Sequence, residues 1–190
     1  PFILQTVVLA QNERLAYQEG AGWKVYTTAG AIKTSLNQGT NSVSTGNSRV
    51  VLGSDVINSN AVANSIADVT GLSFPVVSGQ RYGFRFQIAY TAAATTTGSR
   101  WALQGPATSQ LIIASDYSLT TTSRTFNDVV GYDLPAASSA SSANTTGNIA
   151  FIRGTILPSA DGTVIARFAS EIASSAITAK AGSFVDYWTI

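Results

Sequence analysis

The side chains of this sequence that could act as acids, bases or hard-metal ligands are its ten carboxylates: Glu13, Glu19, Asp55, Asp68, Asp116, Asp128, Asp133, Asp161, Glu171 and Asp186. Two of them on either side of a glycosidic bond could hydrolyse it. Histidine and cysteine are absent, which excludes Ser-His-Asp and Cys-His nucleophiles, histidine metal sites, thiolate zinc sites and disulfides. The carboxylates are also scattered. Asp161 falls in the turn Pro158-Ser159-Ala160-Asp161-Gly162, Glu13 and Glu19 flank a hairpin signal, and no two share a strand face. They read as solvated or turn residues, and no loop has the alternating carboxylates and glycine of a calcium site. We therefore assign no catalytic residue, metal ligand or cofactor site, and expect a protein that is not an enzyme.

Aromatic rings offer another chemistry, stacking on the apolar faces of sugars. Trp23, Trp101 and Tyr117 are the candidates for such a glycan platform. Tyr82 and Tyr90 share the apolar face of one alternating run and are expected in the core or an interface instead.

The elements that must position these groups read as strands. Tyr82, Phe84, Phe86, Ile88 and Tyr90 alternate with Arg81, Gly83, Arg85, Gln87 and Ala89, the period of a strand with one wet face. Arg14-Leu15-Ala16-Tyr17 and Trp23-Lys24-Val25-Tyr26 flank a glycine-containing turn and predict a hairpin. Ile149 to Leu157 and Thr163 to Ala169 flank the Pro158–Gly162 turn and predict a second one. Ser59 to Val69, with Val62, Ile66 and Val69 at helical spacing, is the one helix candidate. Thr91 to Ser99 and Ala136 to Thr146 lack large apolar residues and are expected to be surface loops.

Short strands at near-regular spacing with glycine-rich turns predict an all-β chain, an antiparallel β-sandwich of jelly-roll type, with a barrel as the alternative. It is preceded by an extended N-terminal arm and a small hairpin. The expected divisions are residues 1–40 for arm and hairpin, 41–70 for a polar linker, and 71–190 for the sandwich. In the arm, Phe2, Ile3, Leu4, Val7, Val8 and Leu9 are too apolar to be left in water and are candidates for attachment or oligomerisation.

From Gly71 onward the chain resembles a module of tailed-bacteriophage virion proteins, found in capsid decoration proteins, head spikes and tail fibres. The runs that carry the resemblance are Thr70-Gly71-Leu72-Ser73-Phe74-Pro75-Val76 leading into Arg81-Tyr82-Gly83-Phe84-Arg85-Phe86, then Arg153-Gly154-Thr155-Ile156-Leu157-Pro158-Ser159-Ala160-Asp161-Gly162 and Arg167-Phe168-Ala169-Ser170-Glu171, which resemble its hairpin and closing strands. The hairpin at Arg14 to Tyr26 resembles the one that often precedes such modules. These are packing and turn motifs, so the resemblance implies a virion structural role and transfers no catalytic residue. A tail fibre carries a long shaft before its module, whereas here a short arm precedes it, which favours decoration or head-spike proteins.

Composition points the same way. Only 11% of residues are charged, less than half the roughly 25% usual for soluble domains. The balance is made up by Ser, Thr, Asn, Gly and Ala, a neutral surface that loses little side-chain entropy when ordered against a partner. Net charge is +1, with no block of like charges to mark a nucleic-acid or anionic-membrane partner. No apolar run reaches the roughly 18 residues of a membrane span. The expected partners are copies of the chain itself, as a trimer, and other virion proteins such as the major capsid protein, at the particle surface. A fibre displaying loops to a host surface glycan is the alternative.

Overall fold

The computed structural model describes residues 47–133 and 141–190 and, ahead of them, the backbone of three strands, β1 (Glu13–Gln18), β2 (Gly22–Thr27) and β3 (Ile32–Leu36). Two compact units divide the chain, Pro1–Gly46 and Asn47–Ile190. In the first, β1 and β2 pair antiparallel from Gln18 opposite Gly22 to Glu13 opposite Thr27, as the hairpin signal predicts. β3 adds to the far side of β2. The arm candidates Phe2, Ile3, Leu4, Val7, Val8 and Leu9, and the side chain of Trp23, lie outside the described residues.

The second unit is an antiparallel β-sandwich, and among the described residues there is no helix. Its small sheet has the order β6 (Ala67–Val76), β12 (Gly162–Ser170), β8 (Ser99–Gln104). The large sheet runs β10 (Arg124–Val129), β9 (Thr108–Ser118), β11 (Asn148–Pro158), β7 (Tyr82–Ala92). Beyond β7 it splits: β14 (Phe184–Thr189) pairs with the first half of β7 and β13 (Ile177–Ala179) with its end. β4 (Ser48–Val51) and β5 (Val56–Asn58) close that side, on β14 and β13 respectively. The pairings nest, β6 with β12 in one sheet and β7 with β11 in the other. The doubled chain is thus wrapped over both sheets in jelly-roll manner, and the sheets keep separate edges, unlike a barrel.

The alternation on β7 does what its period requires. Tyr82, Phe84, Phe86, Ile88, Tyr90 and Ala92 are all buried and face the small sheet. From that sheet, Phe74 stacks on Tyr187 at 4.7 Å and packs on Phe84 at 5.7 Å. At the other end Trp101 stacks on Phe168 at 5.3 Å and lies 5.1 Å from Tyr90. Burying each of these rings contributes about 2–3 kcal/mol before entropic costs, so the two aromatic nests hold the sheets together.

Several sequence expectations change. The second hairpin is a corner between sheets: β11 pairs with β7 and β9, and β12 with β6 and β8. The Pro158–Gly162 turn reverses the chain but carries it from one layer to the other, with Asp161 accepting a hydrogen bond from the Ser78 amide at 2.7 Å. The linker expected at 41–70 contains β4, β5 and the start of β6, and Leu52 within it is buried. Its strands are too short to show periodicity.

Ser59 to Val69 is a turn running into β6, not a helix. There the Asn58 amide donates to the carbonyls of Ser65 and Phe168, the Asn60 side chain accepts from the Val62 amide, and Asn64 has φ 62°. Asparagine side chains compete with helix hydrogen bonds in this way. The expected surface loops also hide polar groups: Thr97, Ser99 and Ser142 are buried, and the Ser142 hydroxyl donates to the Thr97 carbonyl at 2.6 Å.

Candidate functional site

One face of the large sheet packs on the small sheet, and the other carries the chemistry. The register sets its side chains in rows. One row runs Phe126, Asp116, Phe151, Gln87, Phe184, Val51 across β10, β9, β11, β7, β14 and β4. The next runs Asp128, Ala114, Arg153, Arg85, Asp186, Arg49, and a third brings Ile112, Thr155, Gly83 and Trp188 into line. Residues directly opposite on antiparallel strands point the same way, so each row is a contiguous band of one surface.

The charges on this face are layered. Arg49 donates from Nε and Nη2 to the two carboxylate oxygens of Asp186, at 2.6 and 2.8 Å, and its guanidinium lies 4.0 Å above the Phe184 ring. Arg85 reaches the same carboxylate at 3.5 Å. Arg124 donates to Asp116 at 2.8 Å, to the Ser118 hydroxyl at 3.1 Å and to the Ile149 carbonyl at 3.0 Å, while Arg153 stands 3.8 Å from Asp116. The side chains of Asp116 and Asp186 are only 10% exposed, whereas Arg49, Arg85 and Arg153 are 52%, 50% and 56% exposed. Carboxylates therefore form a floor and guanidinium groups the outward layer. Arg81, hydrogen-bonded to Gln110, continues that layer at the start of β7.

Apolar residues lie beside the arginines. Phe126, Ile112 and Val51 are exposed on the same face, and so is Ile57, which follows the Thr91–Thr178 line onto β5. Trp188 is half-buried, lying directly over Gly83: a Cβ at residue 83 would come within 2.5 Å of the indole.

The hydrogen bond from Arg49 holds the Asp186 carboxyl below the usual carboxylate range. A carboxyl whose pKa falls on folding stabilises the fold above the unfolded value of about 3.9, and that contribution is lost as pH drops through the folded value. Asp186→Asn is therefore expected to melt below the unsubstituted protein from pH 5 to 8, with the gap closing below about pH 4. Melting curves across that range check this, and a gap unchanged at pH 3 would show that the ion pair contributes nothing.

On the opposite side of the sandwich the charges are structural. Arg167 bridges Asp68 at 2.7 Å and Asp133 at 2.6 Å, and Gln104 donates to Asp133 at 3.0 Å. Arg100 holds Glu171 at 3.0 Å, and burial raises the Glu171 carboxyl above its ordinary value despite that partner. On the large sheet itself, beside β5 and β13, Asp55 accepts from Lys180 and the Ala181 amide. These carboxylates serve as acceptors that tie strands and turns together. Among the described residues no group of three or more potential ligands is placed to hold a metal ion.

Of the aromatic candidates Trp23, Trp101 and Tyr117, the side chain of Trp23 lies outside the described residues. Trp101 and Tyr117 are buried in the core, with the Trp101 Nε1 donating to Ser99 at 2.9 Å, so neither shows a face to a sugar. The face built from Arg49, Arg85, Arg153, Phe126 and Trp188 is not legible as a whole in the sequence, because it exists only once the pairing of six strands is known. Its one legible signal was Arg81 and Arg85 on the polar phase of the β7 alternation. A polar cleft of about 320 Å³ lies at the β9–β10 turn, lined by Ser118, Thr120 to Arg124, Ala143 and Asn144. Its hydroxyls largely satisfy one another, as in the Thr120–Ser123 contact at 2.7 Å.

No protein-family model and no curated protein matches the chain. Among solved structures, one of the Gt strain of infectious bursal disease virus is similar over 93% of this chain at 10% identity, with a TM-score of 0.25. One of the Gx strain is similar over 90% at 11% identity, with a TM-score of 0.19. This chain spans about half the length of those chains, 50% and 47%.

Proposed function

We propose that the chain is a non-enzymatic structural protein of a bacteriophage virion, a decoration protein that sits on the capsid surface as a homo-oligomer, a trimer, and reinforces the shell. The observation that carries this reading is the outer face of the large sheet, a surface of arginine, phenylalanine and aliphatic side chains on a chain otherwise poor in charge. Enrichment in arginine and aromatics with few lysines and carboxylates at the centre is the composition of protein interfaces. The resemblance of Thr70 to Glu171 to phage virion modules supplies the setting. Each contact is worth about 25 cal/mol per Å² of apolar surface covered, less the cost of association, and the shell repeats it many times. The apolar segment Phe2 to Leu9 provides a second means of attachment, to a neighbouring subunit or to the shell.

The test is to image the intact particle and to sediment the isolated chain. The expected results are density for the sandwich in hundreds of copies over the shell, and a species heavier than the 19.7 kDa monomer at micromolar concentration. A monomer, with no density on the shell, overturns the proposal. The hydroxyl-lined cleft at the β9–β10 turn favours a second reading, a head or tail fibre that binds a host surface glycan. Density in a few copies at a vertex or tail decides for it.

A further inference from the structure

Arg85 and Arg153 stand directly opposite each other on β7 and β11. Like charges so placed destabilise a sheet, and neither is fully neutralised: their carboxylate contacts are at 3.5 and 3.8 Å, while Arg49 and Arg124 take the close bonds to Asp186 and Asp116. Both arginine side chains are at least half exposed. A pair of cations held opposite each other on paired strands, with half of each side chain open to solvent, is arranged to receive an anion.

We propose that this outer face docks an acidic protein surface of a particle partner, whose carboxylates enter between Arg85 and Arg153 and whose apolar side chains cover Phe126 and Ile112. The inference rests on the virion reading above and names the surface and the chemistry of its partner. Charge complementarity selects the occupant. A second copy laid face to face would set guanidinium against guanidinium, since Asp116 and Asp186 lie beneath the arginines and the exposed carboxylates lie at the sheet's margins, Asp128 on β10 and Asp55 just before β5, the latter already paired with Lys180. An acidic polysaccharide would satisfy the arginines but leave Phe126, Ile112, Val51 and Ile57 uncovered. Six strands at about 4.8 Å and some nine residues along β7 give a face of roughly 870 Å², close to the roughly 800 Å² that one partner contributes to a stable interface.

The experiment uses the full chain and particles assembled without it. Binding is measured by co-sedimentation for the unsubstituted chain, for R85Q/R153Q, and for Phe126→Glu, which places a carboxylate on the apolar margin at a residue that is 76% exposed. Melting and sedimentation of each variant alone establish that the fold and oligomer are intact. We expect the unsubstituted chain to bind with an affinity that falls as salt rises, and both variants to lose at least about tenfold in affinity. Full binding by R85Q/R153Q with the same salt dependence overturns the docking face and leaves the virion role standing. Failure of the unsubstituted chain to bind overturns the virion role, and the partner with it. Tighter capture by sialic-acid polymer or hyaluronate than by particles, lost in R85Q/R153Q, overturns the protein partner in favour of a glycan.

Discussion

Replacing Trp101 with alanine is expected to destabilise the sandwich by about 4 kcal/mol, as for other large aromatic side chains removed from a packed core. Trp101 is 1% exposed, stacks on Phe168 from the neighbouring strand β12, and meets Tyr90 from the opposite sheet. Its Nε1 bond to Ser99 ties the ring to its own strand. Alanine would therefore leave a cavity between two layers whose strands are fixed by pairing on both sides, and the site has little freedom to collapse. For a unit of this size the loss corresponds to a fall in melting temperature of roughly 10 °C. Thermal unfolding monitored by tyrosine and tryptophan fluorescence or circular dichroism checks it. An unchanged melting temperature would mean that the indole lies at the surface, and would restore Trp101 to the glycan platform its residue type suggested.

The different fates of Trp101 and Trp188 show where sequence reasoning stops. β7 was legible because five large side chains alternate without interruption, and a one-residue slip would expose them all. Trp101 sits in Ser99–Gln104, where Trp101, Ala102 and Leu103 are buried in succession, so no period marks which side faces in. Trp188 lies one residue before the end of a strand whose burial also lacks clean alternation. The corner at Pro158–Gly162 misleads for another reason: a turn's residues record that the chain reverses, not whether the two arms bond to each other or enter different sheets. Register is the missing quantity. Arg85, Arg153 and Asp186 are far apart in sequence and become one row only through the β7–β11 and β7–β14 pairings, so the outer face could not be assembled from composition or spacing. The small hydroxyls of Thr97, Ser99 and Ser142 escaped for the opposite reason, because residues that usually sit on surfaces can be buried once their hydrogen bonds are satisfied internally.

Gly154 is where a single methyl group should do the most damage for its size. It lies in the middle of β11, opposite Phe84 of β7 on one side and Ile113 of β9 on the other. A Cβ there would fall 2.1 Å from the carbonyl oxygen of Ile112 and 3.1 Å from the Ile113 Cα. Both obstacles are backbone, and both belong to a strand hydrogen-bonded to its neighbours, so relief requires shifting the ladder and not a rotamer. Gly154→Ala is expected to destabilise by about 3 kcal/mol, at the upper end of overpacking costs. The neighbouring glycine supplies the comparison. At Gly83 the obstacle is the Trp188 indole, a half-buried side chain on the outer face that can swing aside, so Gly83→Ala is expected to cost about 1 kcal/mol. Denaturant midpoints at constant slope for the two variants give the comparison directly. If Gly154→Ala proves as stable as the unsubstituted protein, or less damaging than Gly83→Ala, then β9 and β11 do not approach as closely as this register requires, and the row that joins Ala114 to Arg153 must be redrawn.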